Sequence, residues 1–500
     1  MRMAGGGAER GPRLAWAFLM VAIFTLAHLT YRGLGIRFDE APLGHSYQFV
    51  DPDLLRHRLG ESLLYLHSQP PLFNLFLGLV LKLFPGHEGS AFCASYLFMG
   101  ILLYFALFAA MRRLGISRAL ALVLSTWFMA SPSFILYEHW LFYTLPLASA
   151  LILSALLFYH VLNEGRPWQL LCFFGLLLTL CGVYSAFHLV YYLLLLGGVL
   201  MLCPGRRRII MVTAAVPLIL LASLYAKNLC LFGKLTASSW LGMNLSGTTV
   251  RALPTRERDQ LVADGKLSRL ALIPRFSPLA AYPGEYLRVR GFDNITALRQ
   301  VSKSTGATNY NHLAYIAISE QYLRDAVYVI THRPKALLVG LLNAWLSYFR
   351  SSSDYPLLYG NLNKIAFVNC VYDYLFYGKV PRYVLPTDRA PIYFAPHAEP
   401  RLYVFLIIGL PVLVWYGLRV GIKGDATSPA LTRSQRMLVL YACFNIVYVA
   451  LVGNLFEVSE NHRFRFVTDP LYVMLCGLLI QRWALPRAAS ALRKSARQSR

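Results

Sequence analysis

The chain is dominated by long apolar runs that are separated by short polar segments. Each run holds roughly 20 residues, the length that a helix needs to cross the hydrocarbon core of a bilayer. The pattern predicts membrane-spanning helices near 14–31, 92–111, 119–137, 141–162, 168–185, 187–203, 209–226, 401–420, 437–455 and 466–482. Two further stretches, 71–84 and 335–350, are short or amphiphilic, and the pattern alone leaves their placement open.

Composition agrees with this pattern. Hydrophobic residues fill 57% of the 500 positions, charged residues fill only 14%, and the mean hydropathy is +0.48. A soluble protein carries about 25% charged residues because water covers its surface, so a soluble protein is excluded. The predicted fold class is an all-α polytopic membrane protein with about 10–12 transmembrane helices and a large extracytoplasmic loop.

The charge of the chain indicates its orientation. The formal net charge is +24, from 48 Lys and Arg against 24 Asp and Glu. An excess of Lys and Arg in cytoplasmic loops accounts for such a charge in a membrane protein, so no nucleic-acid partner is predicted. The basic amino terminus and the 14–31 run predict a retained signal-anchor helix. The eight cysteines form no CxxC pair, and neither a zinc site nor a disulfide framework is indicated.

The distribution of arginines predicts which loops share a face. If 71–84 lies at the outer surface without crossing, the basic loops near 112, 166, 206 and 433 and the basic tail all become cytoplasmic. The outer face then receives 32–91, 138–140, 227–400 and 456–465. The stretch 335–350 either lies at the interface or pairs with one near 363–378. The predicted regions are a transmembrane core module (1–226), a large extracytoplasmic loop (227–400), and carboxyl-terminal helices with a basic tail (401–500).

The first outer loop contains two polar groups suited to chemistry. Asp39 and Glu40 lie just beyond the first span, where a carboxylate can deprotonate or orient a hydroxyl acceptor. The alternative is a solvated acidic pair. Further along, His67 and Gln69 precede a Pro-Pro pair that fixes the start of the 71–84 helix, near the depth of a lipid phosphate.

The same loop holds a second spacing with two interpretations. Asp51, Asp53 and His57 are spaced like metal ligands. The Asp-Pro-Asp sequence is equally typical of a helix N-cap, because an aspartate there accepts a hydrogen bond from a free backbone amide. The nearby carboxylates therefore permit a divalent metal without requiring one, and no metal ligand is assigned.

The second outer turn places Glu138 and His139 between two apolar spans. Ionisable groups at this depth are costly unless they face a cavity, a partner or water. In so short a turn, simple contact with water is the alternative to a catalytic role.

The last outer turn reads GNLFEVSENHRFRF and carries Arg463 and Arg465. Arginine at an outer face runs against the charge bias, and guanidinium groups bind phosphate in a bidentate manner. The alternative is salt bridging of both arginines to Glu457 and Glu460.

The large loop is rich in Tyr, Trp and Pro, and its aromatic rings are candidate platforms for stacking on a sugar. The sequence has no Walker loop, no GxGxxG after a strand, no HExxH and no GxSxG. Their absence argues against nucleotide-driven work and common hydrolase chemistry.

Three features together resemble the GT-C membrane glycosyltransferases, and most closely the branch of protein O-mannosyltransferases and lipid A aminoarabinose transferases. They are the acidic pair after the first span, the Pro-Pro-Leu before an interfacial helix, and the ENHRFRF turn. The resemblance implies an inverting transferase that takes a sugar from a polyprenyl-phosphate carrier. Asp39 matches the catalytic acid/base residue and Glu40 its acidic neighbour.

The same resemblance implies roles for the other polar groups. His67 and Gln69 match the segment near the donor phosphate, although some relatives have Lys where this chain has Gln69. Arg463 and Arg465 fall where the last outer turn approaches the donor. Glu138 and His139 would position the acceptor or Asp39.

The predicted function is therefore transfer of a lipid-linked sugar to a glycan, lipid or protein acceptor in the cell envelope. The expected location is the inner (plasma) membrane, with the active site on the extracytoplasmic face. A transporter or flippase for an anionic lipid or solute is the alternative, since it too would be polytopic with outward arginines. A non-catalytic scaffold would explain neither Asp39-Glu40 nor the ENHRFRF turn.

Overall fold

The computed structural model describes residues 10–380, 402–424 and 430–484. Residues 1–9, the end of the predicted large loop and the basic carboxyl-terminal tail lie outside the described residues. The described chain is mainly helical with two short strands, and it confirms an all-α polytopic membrane protein.

The first half of the chain contains the helices α1 (Arg10–Gly33), α2 (Pro42–His45), α3 (Pro52–His57), α4 (Leu59–Leu64), α5 (Leu72–Leu83), α6 (Glu88–Arg113), α7 (Arg118–Met129), α8 (Pro132–Glu138), α9 (Thr144–Asn163), α10 (Pro167–Val183), α11 (Leu189–Leu202) and α12 (Arg207–Phe232). The second half contains α13 (Leu241–Thr248), α14 (Thr255–Ala263), α15 (Gly284–Leu287), α16 (Thr296–Arg299), α17 (Ala314–His332), α18 (Pro334–Tyr348), α19 (Tyr359–Leu362), α20 (Ala366–Tyr372), the strands β1 (Lys379–Val380) and β2 (Leu402–Tyr403), α21 (Val404–Lys423), α22 (Arg433–Phe456) and α23 (Asn461–Leu479).

Seven helices among the described residues are long and apolar enough to cross a membrane. They are Leu14–Gly33, Glu88–Arg113, Thr144–Asn163, Pro204–Phe232, Val404–Lys423, Arg433–Phe456 and Asn461–Trp483. The predicted spans 168–185 and 187–203 form α10 and α11, of 17 and 14 residues. At 1.5 Å per residue these helices measure only about 25 and 21 Å, so both are shorter than the length of about 20 residues expected of a span.

The predicted span 119–137 is broken into α7 and α8, which meet at 60°. Ser131 caps α8 through its Oγ, which accepts a hydrogen bond from the Phe134 amide at 3.2 Å. Pro132 has no amide hydrogen with which to continue α7. The Tyr31 hydroxyl donates to the carbonyl of Ala130 at 2.9 Å, so the broken backbone is satisfied by a neighbouring helix.

The loops gather at two ends of the bundle, as the arginine distribution predicts. One end joins segments predicted to be cytoplasmic through the hydrogen bonds Arg113–Gln435, Ser117–Gln481 and Asn163–Ser434. The other end, called here the site end, joins the predicted outer loops through the contacts Asp39–His139, His67–Ser239, Tyr137–Ser352 and Arg275–Glu457. Which end faces the outside of the cell stays a prediction.

The two doubtful stretches both lie at the site end. Helix α5 is about 18 Å long, and the chain just before and just after it contacts site-end loops through Ser68–Ser238 and Glu88–Arg56. It therefore does not connect the two ends. Helix α18 has 15 residues, and 363–378 is divided into a turn, α20 and a short π-helix. Neither forms a full span, so a pair of extra crossings is not found.

The described part of the large loop, 233–380, forms a helical cap on the bundle. Helices α13 and α17 pack together over an apolar core of their own, which includes Trp240, Met243, Tyr310, Tyr315, Ile318 and Tyr322. The strands β1 and β2 pair antiparallel and return the chain from the cap to α21. The cap rests on the ends of α22 and α23, and the functional groups of the loops meet at that junction.

Candidate functional site

A cavity of about 810 Å³ lies between the cap and the bundle at the site end. Its volume falls in the range of small-molecule binding sites. Much of its wall is aromatic, including Tyr47, Tyr143, Tyr184, Trp240, Phe276, Tyr448, Phe456 and Phe464. The rings offer flat apolar faces and several hydroxyl groups, a surface suited to a ring-shaped ligand that carries polar substituents.

One ion pair in the cavity wall joins the cap to the last outer turn. The Arg275 guanidinium binds both carboxylate oxygens of Glu457, with Nη1 3.3 Å from Oε2 and Nη2 on Oε1. Nη1 also donates to the Asn244 carbonyl at 3.2 Å. An added Cβ at Gly247 would collide with this guanidinium, so the glycine makes room for it. Burial raises the pKa of Glu457, and the charge of Arg275 opposes that rise.

A second ion pair in the same wall joins Arg463 to Glu460. Arg463 donates to Glu460 through Nη2, and its Cζ lies 4.8 Å from the ring centres of Phe142 and Phe464. The rings of Tyr143 and Tyr355 are 5.6 and 5.4 Å away. This aromatic cage holds the guanidinium by cation–π attraction. Arg463 thus lines the cavity as a partnered group, in the manner of the salt-bridge alternative.

Arg465 lies behind the cavity wall. Its Nε is 3.1 Å from the Asp469 carboxylate, and Nη1 donates to the carbonyls of Tyr348 and Arg350 at 2.7 and 2.6 Å. These carbonyls belong to the end of α18, where backbone acceptors need partners. Arg465 is not among the described residues that line the cavity, and it fixes the cap to α23.

His67 and Gln69, predicted near a donor phosphate, point to different places. His67 is buried, with Nδ1 2.8 Å from Ser239 Oγ and Nε2 3.0 Å from the Asn311 carbonyl. Burial lowers its pKa to about 3, so it acts as a neutral clamp between the first loop and the cap. Gln69 lines the cavity, and its Oε1 is buried without a hydrogen-bond partner among the described residues.

The predicted acidic pair is outside the cavity wall. The backbone of Asp39 forms a bridge with the second outer turn, since its amide donates to His139 at 2.8 Å and its carbonyl accepts from Leu141 at 2.9 Å. Its half-buried carboxylate accepts from the Ala41 amide at 3.0 Å. Glu40 is exposed and lies against Gly89. Neither residue is among the cavity-lining residues that the structure describes.

Glu138, His139 and His28 form a polar cluster next to Asp39, called here the sealed cluster because its carboxylate is fully buried, while the two histidine side chains are 13% exposed. The Glu138 carboxylate is buried and bonded to Nε2 of His28 on α1. Its Oε1 has no hydrogen-bond partner in the described ranges and abuts Gly100 on α6. The ring of His139 donates to the Ile135 carbonyl at 2.9 Å, and burial lowers its pKa to about 4.

No role was predicted from the sequence for His28 or Arg275, and Glu457 was considered there only as a salt-bridge partner of Arg463 and Arg465. His28 lies within the first apolar run, where an ionisable residue is itself a signal of function or pairing. Arg275 lies in a loop of the cap, and nothing local in the sequence indicates its pairing with a carboxylate 182 residues away.

The ligand-like spacing in the first loop is structural. Asp51 caps α3 by accepting from the Asp53 amide at 3.0 Å, and it also accepts from Ser304 and Gln300 of the cap. The N-cap interpretation is therefore confirmed. In the part of the chain that the structure describes, no group of three or more His, Cys, Asp or Glu side chains is arranged to hold a metal ion.

No protein-family model matches the chain, and no curated protein sequence matches it.

Proposed function

We propose that this protein is an integral-membrane glycosyltransferase of the GT-C kind. It would transfer a sugar from a polyprenyl-phosphate-linked donor to an extracytoplasmic glycan, lipid or protein acceptor, with inversion. The observation that carries the proposal is the cavity at the site end, which combines aromatic walls with two carboxylate–guanidinium pairs.

The chemistry of the cavity supports this reaction class. Aromatic faces suit a hydroxyl-rich sugar, and so do Gln69 Oε1 and Trp240 Nε1, which have no hydrogen-bond partner among the described residues. Guanidinium groups suit the negative charge that develops on a phosphate leaving group. Carboxylates can take the proton of an acceptor hydroxyl. All three kinds of group lie at one end of an apolar bundle, where a lipid-linked substrate would present its head group.

Candidates for the general base lie both in the first outer loop and in the cavity wall. The family resemblance favours Asp39, whereas the cavity wall offers Glu457 and Glu460. A base must lie within hydrogen-bond distance of the proton that it removes. The position of the acceptor hydroxyl therefore distinguishes the candidates.

Sugar transfer in proteoliposomes tests the proposal. Purified protein would be given a panel of radiolabelled polyprenyl-phosphate sugars, with a lipid and glycan extract as acceptor. Asp39→Asn, Glu457→Gln and Glu460→Gln are the test variants, and Glu285→Gln, an exposed carboxylate in the cap, is the matched control. We expect transfer by the wild type and the control, and loss of at least 100-fold in the variant that lacks the base. Absence of transfer from every donor would contradict the proposal, and a flux assay for anionic lipids would then test a transporter.

A further inference from the structure

The two ion pairs of the cavity differ in how firmly they are held. Arg463 is in the first turn of α23 and inside an aromatic cage, and its partner Glu460 also accepts from the Tyr355 hydroxyl at 3.2 Å. Both oxygens of Glu460 are thus engaged by rigid neighbours. Arg275 and Glu457 both lie in non-helical turns, so their pair can separate without unwinding a helix.

Backbone strain accompanies the loop-borne pair. Three described non-glycine residues have a positive φ, and two of them flank this pair: Phe276 (φ 56°) follows Arg275, and Ser459 (φ 98°) lies between Glu457 and Glu460. Such conformations cost free energy and gather at ligand clamps and switch regions. The Ser459 hydroxyl is buried without a hydrogen-bond partner among the described residues.

The charges of the cavity are balanced before any ligand enters. Among the lining residues that the structure describes, Arg275 and Arg463 are matched by Glu457 and Glu460. A phosphate that enters must therefore take a guanidinium away from a carboxylate, since a buried charge without a counter-charge is costly. The Oε1 of Gln69 in the same cavity is buried and has no hydrogen-bond partner in the described part of the chain, so it can accept a hydrogen bond from a ligand.

We propose that Glu457 is a substrate-released general base, held inactive by Arg275 until a phosphate displaces it. The proposal rests on the proposed function and names the residues through which that site would act. The phosphodiester of the lipid-linked donor replaces the Glu457 carboxylate as the partner of the Arg275 guanidinium. The freed carboxylate then faces the acceptor.

The step balances in atoms and charge. The acceptor oxygen forms a bond to the anomeric carbon, and the bond between that carbon and the phosphate oxygen breaks, with its electron pair leaving on the lipid phosphate. The acceptor proton moves to Glu457. One carboxylate charge disappears as the second phosphate charge forms, and Arg275 is already in place to stabilise it.

Binding of a polyprenyl phosphate that carries no sugar tests the exchange apart from transfer. The probe would be a fluorescent short-chain polyprenyl phosphate, titrated into the protein in nanodiscs. Removal of the competing carboxylate by Glu457→Gln is expected to tighten binding about tenfold and to lower transfer at least 100-fold. Arg275→Gln is expected to weaken binding at least tenfold. Glu285→Gln is expected to change neither binding nor transfer.

Glu457→Gln is expected to bind the probe more tightly but to transfer sugar more slowly. A purely structural role for Glu457 would weaken both binding and transfer, so the two measurements distinguish the roles. If Arg275→Gln fails to fold because Glu457 is left unpaired, Arg275→Gln/Glu457→Gln removes both charges and is expected to bind as weakly. Equal or weaker binding by Glu457→Gln, with wild-type binding and transfer intact, would overturn the inference and leave the proposed function standing. Absence of wild-type binding would overturn both. Arg275-dependent binding of inorganic phosphate, without binding of the lipid probe, would overturn the assignment to a lipid-linked donor.

Discussion

Two polar regions at the same end of this bundle treat buried charge in different ways. In the cavity wall, Glu460 is paired with a guanidinium and faces open space. In the sealed cluster, Glu138 is paired with His28 and is enclosed by α1, α6 and α8. The two regions are joined by only a few residues of backbone after α8. The contrast indicates that a position in an acid-containing turn next to a span does not decide whether a carboxylate faces open space. The packing around the carboxylate decides it.

The largest expected effect comes from a substitution in the cavity wall. Arg463→Met removes the caged guanidinium and leaves Glu460 without its partner. We expect a loss of about 3–5 kcal/mol in the free energy of unfolding, because a buried charge is left uncompensated. Denaturant unfolding in detergent measures this loss. The matched variant Arg463→Met/Glu460→Gln removes both charges and is expected to recover part of it; equal losses in the two variants would show that the cage alone, and not the pair, supplies the stability.

A smaller effect tests the sealed cluster. An added Cβ at Gly100 would collide with the Glu138 carboxylate. Gly100→Ala is expected to destabilise the protein by about 1–3 kcal/mol, the usual cost of overpacking. The control is Gly175→Ala, on α10, where a Cβ would meet no described atom within 4 Å. If both variants keep wild-type stability, the cluster has room that the structure does not show.

A pH dependence tests the clamp beneath the cavity. Burial lowers the pKa of His67 to about 3, whereas an unfolded histidine titrates near 6.5. Between these values the unfolded chain binds more protons, so stability is full above pH 6.5 and falls as the pH is lowered toward 3. From pH 7 to pH 5 the contribution of His67 is about 2 kcal/mol. The contribution of His67 is the difference between the wild type and His67→Asn in how the free energy of unfolding depends on pH. The same pH dependence in both proteins would contradict the role of His67 as a neutral clamp.

Much of the fold could be predicted from the sequence, because lipid requires long apolar runs and charge bias sorts the loops between them. The apolar runs all form helices, and the loops gather at two ends. The 119–137 run was predicted as a single span, and the Ser131-Pro132 break within it was missed. Part of the site could not be predicted from the sequence. The bonds from Arg465 to the Tyr348 and Arg350 carbonyls depend on how α18 and α23 meet, and the Arg275–Glu457 pair forms because the cap docks on the last turn.

The smallest expected effect is at Asp39, where the two polar regions adjoin. Asp39 is half-buried, and its carboxylate accepts from the Ala41 amide in its own turn. Asp39→Asn is expected to shift the free energy of unfolding by less than about 0.5 kcal/mol. Thermal unfolding of the purified variant measures this. A loss of several kcal/mol would mean that the carboxylate itself, and not the backbone bridge to His139, holds the two outer turns together.

Under the proposed function, the cavity is the place where the sugar is transferred. Two neighbouring residues of α22 allow the most direct test, because Val452 lines the cavity and Leu451 is 57% exposed on the outer face of the helix. Sugar transfer from the polyprenyl-phosphate panel would be measured for Val452→Trp and Leu451→Trp in proteoliposomes. Loss of transfer in Val452→Trp, with transfer retained in Leu451→Trp, is the predicted result. Undiminished transfer by a folded Val452→Trp protein would contradict the account.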